Sequence, residues 1–291
     1  MPELPEVESV RRGLAAVVEG RTIAAVAVLH PRPVRRQAGG AEAFVDALTG
    51  QRFLTPRRRG KYLWLPTDGG DALLAHLGMS GQFRVDAPTA PRQRHTRVIF
   101  DLTGNDPEGP QLRFVDQRMF GGLTVSSGGA ERPDEIAHIA RDLLDPGLDR
   151  DAVVARIRGS SSGIKRLLLN QTITSGIGNI YADEALWLSR LHPDIRGDEL
   201  SATRVRAVLD AAATVMTDAL AQGGTSFDAL YVNVNGSSGY FARSLNAYGR
   251  GGQPCPRCGT AIVREPWANR SSHRCPNCQR RPRGWAVRGG Q

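Results

Sequence analysis

Three short stretches of this chain carry residue types whose spacing permits chemistry. The first is the opening Met1-Pro2-Glu3-Leu4-Pro5-Glu6. Removal of the initiator methionine would leave Pro2 as a secondary amine. A terminal α-amine titrates near about pH 8, so part of it is neutral under physiological conditions. A secondary amine that attacks an aldehyde-like carbon becomes a cationic iminium without losing a second proton, which suits covalent catalysis. Glu3 beside it offers a carboxyl for general-acid work. The alternative is a plain acidic helix start with a dispensable terminus.

The second stretch holds all four cysteines, Cys255-Pro-Arg-Cys258 and Cys275-Pro-Asn-Cys278, two Cys-x-x-Cys pairs with sixteen residues between them. That is the spacing of a tetrahedral zinc ribbon and predicts one structural zinc ion. Paired disulfides are the alternative, disfavoured in a chain that shows no secretion signal. His273 lies nearby, and four thiolates leave it no place as a ligand. The third stretch is Gly176-Ile177-Gly178-Asn179, between two helical patterns. Glycines there let backbone approach a ligand, and the next helix would aim its first amides at an anion such as a phosphate. A packing corner between helices explains the same residues.

These stretches must be held by the elements around them. Val7, Val10, Leu14 and Val17 recur at helical spacing behind Pro5, which suits a first turn. Pro2 would then stand at the positive end of a helix, where a protonated amine is disfavoured. Short apolar or alternating runs follow at 22–29, 52–55, 62–65, 72–76, 82–85, 98–102, 112–115 and 123–125. Punctuated by Gly, Pro and Asp, they predict a sandwich or barrel, with a short helix at 43–48. Ser and Gly thicken at 126–133, and the pattern then turns helical at 151–158, 163–170, 179–190 and 201–221. At 291 residues the length predicts about two domains, and 40% hydrophobic content is enough to give each a core. A net charge of +9 points to a polyanionic partner. Lysine occurs only at Lys61 and Lys165, so arginine carries that charge. No run is long enough to cross a bilayer, and the expected location is cytoplasmic.

Taken together, the chain resembles the bacterial formamidopyrimidine-DNA glycosylase family, the 8-oxoguanine repair enzymes related to endonuclease VIII. The resemblance runs from Pro2 to Cys278. It rests on Met1-Pro-Glu-Leu-Pro-Glu-Val-Glu8, Arg59-Gly-Lys-Tyr62, His76-Leu-Gly-Met-Ser-Gly81, Ser175-Gly-Ile-Gly-Asn-Ile-Tyr181, Gly239-Tyr-Phe241 and the four-cysteine ribbon. Leu4 favours the formamidopyrimidine branch, because the endonuclease VIII branch typically has glycine there.

The resemblance implies an α+β multidomain fold: an N-terminal catalytic β-sandwich over 1–130, a helical helix–two-turn–helix DNA-binding domain over 131–224, a lesion-capping loop over 225–243, a zinc-ribbon β-hairpin over 244–279 and a disordered basic tail over 280–291. It implies a monomer acting on damaged double-stranded DNA as a bifunctional glycosylase and abasic-site lyase. Pro2 would attack the sugar C1′ and Glu3 would protonate the opening ring. Lys61 matches a lysine near the phosphate and reacting sugar. Asn179 and Arg270 match residues that grip phosphates, Arg270 with a further role in the second elimination. His95 matches a DNA contact. Met79, Arg118 and Phe120 match three side chains inserted where the damaged base has left the stack. Two positions depart from the family pattern. Met119 replaces a charged residue, and Ser160 stands where a basic DNA contact is common. Three readings remain beside this one: Lys61 as the Schiff-base nucleophile, a preference for oxidised pyrimidines, and an inactive DNA-binding relative.

Overall fold

The computed structural model describes residues 2–104, 109–223 and 244–281. They fall into two compact units, one made of the residues up to Ile139 with the described residues from Ala219 to 223, and one made of Ala140–Asp218 with the described residues beyond 243.

The first unit opens with α1 (Leu4–Val18), capped at Glu3, whose backbone N–H donates to the Glu6 carboxylate at 2.8 Å. Val7, Val10, Leu14 and Val18 bury one stripe of it. Each such side chain contributes roughly 1.5–3 kcal/mol of burial, which docks the helix firmly. The strands follow: β1 (Thr22–Val28), then helix α2 (Gly40–Leu48), β2 (Arg57–Arg59), β3 (Tyr62–Pro66), β4 (Ala72–His76), β5 (Gly81–Asp86), β6 (Thr96–Thr103), β7 (Gln111–Asp116) and β8 (Gly122–Ser126). They form two antiparallel sheets, β1-β6-β7-β5 and β2-β3-β4-β8. Leu63, Leu65, Leu73 and Ala75 of one sheet share a core with Phe83, Val98, Phe100 and Phe114 of the other. The expected β-sandwich is present.

Alternate residues of β3 and β4 point the other way, and there Trp64, Ala72 and Leu74 pack against Ile136 and Ile139. A strand pair buried on both faces therefore draws the chain past the Ser/Gly-rich stretch into the first unit. Two details differ from the sequence expectation. Residues 52–55 are not a strand: Phe53 N donates to Arg21 O, whereas Leu54 N donates to Pro66 O, so successive residues bond to different neighbours. Instead the arginine-rich β2 forms the edge of its sheet, a place where polar side chains face water.

The second unit contains α3 (Arg150–Arg158), α4 (Ile164–Leu168), α5 (Asn179–Leu188) and α6 (Ala202–Ala221) up to Asp218, followed by a hairpin of β9 (Val263–Trp267) and β10 (Arg270–Arg274). The turns between α4 and α5 are held by one side chain. Gln171 donates to Leu169 O and Ile177 O and accepts from Gly176 N, replacing backbone partners that irregular structure lacks. Gly176 sits at φ +91°, a left-handed geometry that glycine enters without a Cβ clash. Helix α4 is shorter than the expected 163–170, because the Asn170 carboxamide turns forward along the chain to accept Thr172 N at 3.0 Å. Among the described residues no helix is long and apolar enough to cross a membrane.

Candidate functional site

Pro2 is buried, directly ahead of the helix cap at Glu3, which is also buried. What fixes this end of α1 is Glu8, one turn further on. Its carboxylate accepts from Arg11, Arg12 and, at 3.1 Å, from Arg58 of β2. Burial alone would raise the Glu8 carboxyl; the Arg11 and Arg58 guanidiniums outweigh it and hold the group at about 2. Arg58 also donates to Gly60 O, in the tight turn that carries Lys61. The same carboxylate thus ties the segment bearing Pro2 and Glu3 to the segment bearing Lys61. Lys61 is itself buried, although most lysines are solvated.

His76 ends β4 with its ring 4.8 Å from that of Tyr62, and its Nδ1 accepts Gly78 N–H at 3.2 Å. Burial, then the charges of Lys61, Arg36 and Arg35, push the imidazole down to about 4. It is a neutral acceptor at physiological pH. His95 lies in the turn before β6, where its Nδ1 is 3.2 Å from an Arg97 nitrogen. Met79 and Phe120 are 43% and 54% exposed, unusual for large apolar side chains at neighbouring turns. Arg118 is exposed between them, with Nη1 3.7 Å from the Met79 sulfur. The sandwich therefore brings these three together. Met119 adopts φ +55°, a conformation that costs a non-glycine residue energy.

In the second unit Asn179 is the first residue of α5, and its Nδ2 donates to Ser271 O at 2.9 Å. Arg270 opens β10 opposite Trp267, next to a turn in which Ala268 takes φ +50°. Ser160 follows α3, where its hydroxyl accepts Ser162 N. Ser160 and Arg270 both line an open cavity of about 570 Å³, together with Arg166, Asn170 and Trp267. Arg166 and Trp267 were not expected there. Neither belongs to a recognisable motif, and only the fold brings α4 to the hairpin turn.

Beneath that cavity lies a buried ion pair. Lys165 Nζ stands 2.7 Å from Asp183 Oδ1 and 4.7 Å from the centre of the Trp267 ring. Asp183 also accepts from His273 N at 2.8 Å and Ser272 Oγ at 3.2 Å. Helices α4 and α5 are thereby joined to the hairpin through one carboxylate.

The four cysteine sulfurs lie within 4.8 Å of one another, with Cys258 3.5 Å from both Cys275 and Cys278. Sulfurs at the corners of a tetrahedron with bonds of about 2.3 Å would be about 3.8 Å apart, so the cluster fits zinc. The Trp187 indole N–H donates to Cys255 Sγ at 3.3 Å, as an outer partner of a thiolate ligand should. Burial pushes the Cys275 thiol up to about 12, while hydrogen bonds from Thr260 lower Cys258 to about 5. A divalent cation among four sulfurs overrides the first effect, because coordination deprotonates a thiol outright. The capping-loop expectation at 225–243 and the tail beyond 281 lie outside the described residues.

Three family descriptions match the chain in order: the formamidopyrimidine-DNA glycosylase N-terminal domain over residues 1–123, the H2TH domain of the same enzymes over 139–229, and the zinc finger found in FPG and IleRS over 252–281. A sandwich, a helix–two-turn–helix unit and a zinc hairpin in this sequence define a zinc-finger DNA glycosylase of DNA repair. A formamidopyrimidine-DNA glycosylase of Nocardioides is 64% identical over 97% of this chain and 96% of its own length; one of Streptomyces coelicolor is 55% identical over 97% and 99%. Among solved structures, a Lactococcus lactis FPG mutant in complex with a Fapy-dG containing DNA has a TM-score of 0.87 at 33% identity, covering 96% of this chain and all of its own. The wild-type Lactococcus lactis protein with an oxidized pyrimidine containing DNA has a TM-score of 0.86 at 33% identity and the same coverage. The chain belongs to the formamidopyrimidine-DNA glycosylase family.

Proposed function

We propose that this chain excises oxidised purines, 8-oxoguanine and formamidopyrimidines, from duplex DNA by way of a Schiff base on Pro2, and then cuts the strand. With Met1 removed, the Pro2 nitrogen attacks C1′, the bond to the base breaks and the base departs. Glu3 protonates the ring oxygen, the sugar opens, and nitrogen and C1′ are left as an iminium. Loss of a C2′ proton then expels the 3′ phosphate. A second elimination, in which Arg270 assists, expels the 5′ phosphate, and water releases the sugar remnant from Pro2. Lys61 and the first amides of α5 suit the flanking phosphates. Met79 and Phe120 restore stacking where the base has left, and Arg118 donates to the orphaned cytosine.

The observation that carries this reading is the placement of Pro2. It is buried at the positive end of α1, on a helix that Glu8 fastens to the Lys61 turn. A dispensable terminus needs no such anchorage. The test is borohydride reduction during reaction with an 8-oxoguanine duplex. A covalent adduct on the N-terminal peptide is expected, and an extra residue before Pro2 should abolish it. An adduct mapped to Lys61 overturns the assignment. Parallel reactions on an oxidised-pyrimidine duplex are warranted, since a related protein has been seen with such DNA.

A further inference from the structure

The turn after β4 and the turn before β8 lie far apart in sequence, yet one buried group spans them. Asp116, at the end of β7, is fully buried. Its Oδ1 accepts the Ser80 hydroxyl at 2.6 Å and its Oδ2 accepts Gly121 N–H at 2.8 Å. The Ser80 oxygen in turn accepts Arg118 N–H at 2.9 Å. One hydroxyl therefore gives its proton to the β7 carboxylate and takes the amide of the residue that carries the exposed guanidinium. Arg35 holds the same turn from outside, donating to Gly121 O at 2.7 Å.

The two turns are also packed without slack. Gly78 sits at φ +64°, and a Cβ there would lie 2.5 Å from the carbonyl carbon of Phe120. A Cβ on Gly121 would lie 2.8 Å from Asp116 Oδ2. Only glycine backbone allows this approach, so the turns cannot slide past each other. Met79 is thus one residue from Ser80, and Arg118 and Phe120 sit inside the loop that Asp116 closes. A buried aspartate that merely filled a loop would satisfy its own segment. This one reaches across to the neighbouring turn through Ser80.

We infer that Ser80 and Asp116 are positioning residues that lock the Met79 turn and the Arg118–Phe120 turn into one rigid wedge, so that filling the gap in the stack and reading the orphaned base occur as a single event. The inference rests on the proposed insertion of these three side chains into duplex DNA. Turns already locked together lose little backbone freedom when the wedge enters the helix, and they deliver Arg118 at a depth set by Met79 and Phe120.

The test uses the full-length, zinc-loaded protein and 8-oxoguanine duplexes with cytosine or adenine opposite the lesion, with 2-aminopurine beside it to report stacking. The unmodified protein should prefer cytosine and change the fluorescence in a single phase. Ser80→Ala and Asp116→Asn each leave a buried donor or acceptor unpaired and free the two turns. The cytosine-over-adenine ratio of kcat/KM should fall about tenfold in each, with the fluorescence change splitting into two phases. Ser80→Thr keeps the hydroxyl and should recover most of the ratio. An unchanged ratio with a single phase in both variants overturns the lock. So does equal loss opposite both bases, or loss of all cleavage, since either marks a general structural role. If the unmodified protein shows neither preference nor fluorescence change, the insertion reading itself is wrong, which is a different failure.

Discussion

Replacing Lys165 by methionine should loosen the zinc hairpin far more than it disturbs the helices. Lys165 Nζ and Asp183 Oδ1 are 2.7 Å apart with side chains 0% and 1% exposed, so the carboxylate left behind stays out of water. Breaking a buried pair from one side costs about 3–5 kcal/mol. Asp183 keeps its bonds from His273 N and Ser272 Oγ, which holds the cost near the lower end, about 3 kcal/mol. Lys165 Nζ also donates to Ser271 O at 3.5 Å and stands over the Trp267 ring, both on the hairpin, so the loss should appear there. At about 1.4 kcal/mol per decade, amide hydrogen exchange in β9 and β10 should speed up by about a hundredfold, while α6 is little affected. Asp183→Asn should be at least as damaging, since it removes the counter-charge of a buried ammonium and turns an amide N–H toward a group that now donates to the carboxylate. The double variant removes both charges and should cost less than the sum of the two by more than about 1 kcal/mol. Additive losses, or hairpin exchange within about threefold of the unmodified rate in Lys165→Met, would show that the pair does not hold the hairpin.

Two further outcomes follow from the site. His76 has a folded pKa near 4 against an ordinary 6.5, so its stabilising contribution is fully present above about pH 6.5 and is lost as the pH falls towards 4. The full effect is at most about 3 kcal/mol. His192 in the second unit, held near 4 chiefly by burial, has the same sign, so His76→Gln, which keeps an acceptor for Gly78 N–H, isolates the His76 part. Thermal midpoints between pH 4 and 7 should flatten in that variant, and an unchanged slope counts against the assignment. Cys258→Ser should release one zinc per chain, measured by elemental analysis, and abolish duplex binding while sparing the thermal transition of the sandwich. Full binding by zinc-free protein would refute that.

The sequence showed its apolar patterns faithfully and its buried charges hardly at all. Helix α1 was legible from Val7, Val10 and Leu14, although Val18 rather than Val17 closes its buried stripe. Strand β4 was legible at both ends because a continuous apolar run bounded by Gly and Asp has one simple reading. Three arginines in β2 gave no such signal, since an edge strand is defined by its neighbour and not by its own side chains. The four cysteines were legible because metal geometry restricts spacing. Ser80, Asp116, Lys165 and Asp183 were not, because nothing in a lone Asp or Lys distinguishes a solvated charge from one paired across the fold.

The positions of these buried charges relative to the candidate chemistry make a common pattern. Glu8 fastens the helix bearing Pro2 and Glu3, Asp116 closes the turns bearing Met79, Arg118 and Phe120, and Asp183 ties α5, with Asn179 at its start, to the hairpin bearing Arg270. In each case the candidate side chain sits at an element end or a turn, where backbone is least constrained. A carboxylate taken out of water must keep nearly all its donors, so any shift of the segment leaves an unpaired charge and costs several kcal/mol. Apolar packing resists displacement gradually, whereas a buried carboxylate with a full set of short hydrogen bonds resists it within a few tenths of an ångström. That steepness is what a residue needs when it must meet a sugar carbon or the edge of a base from a turn.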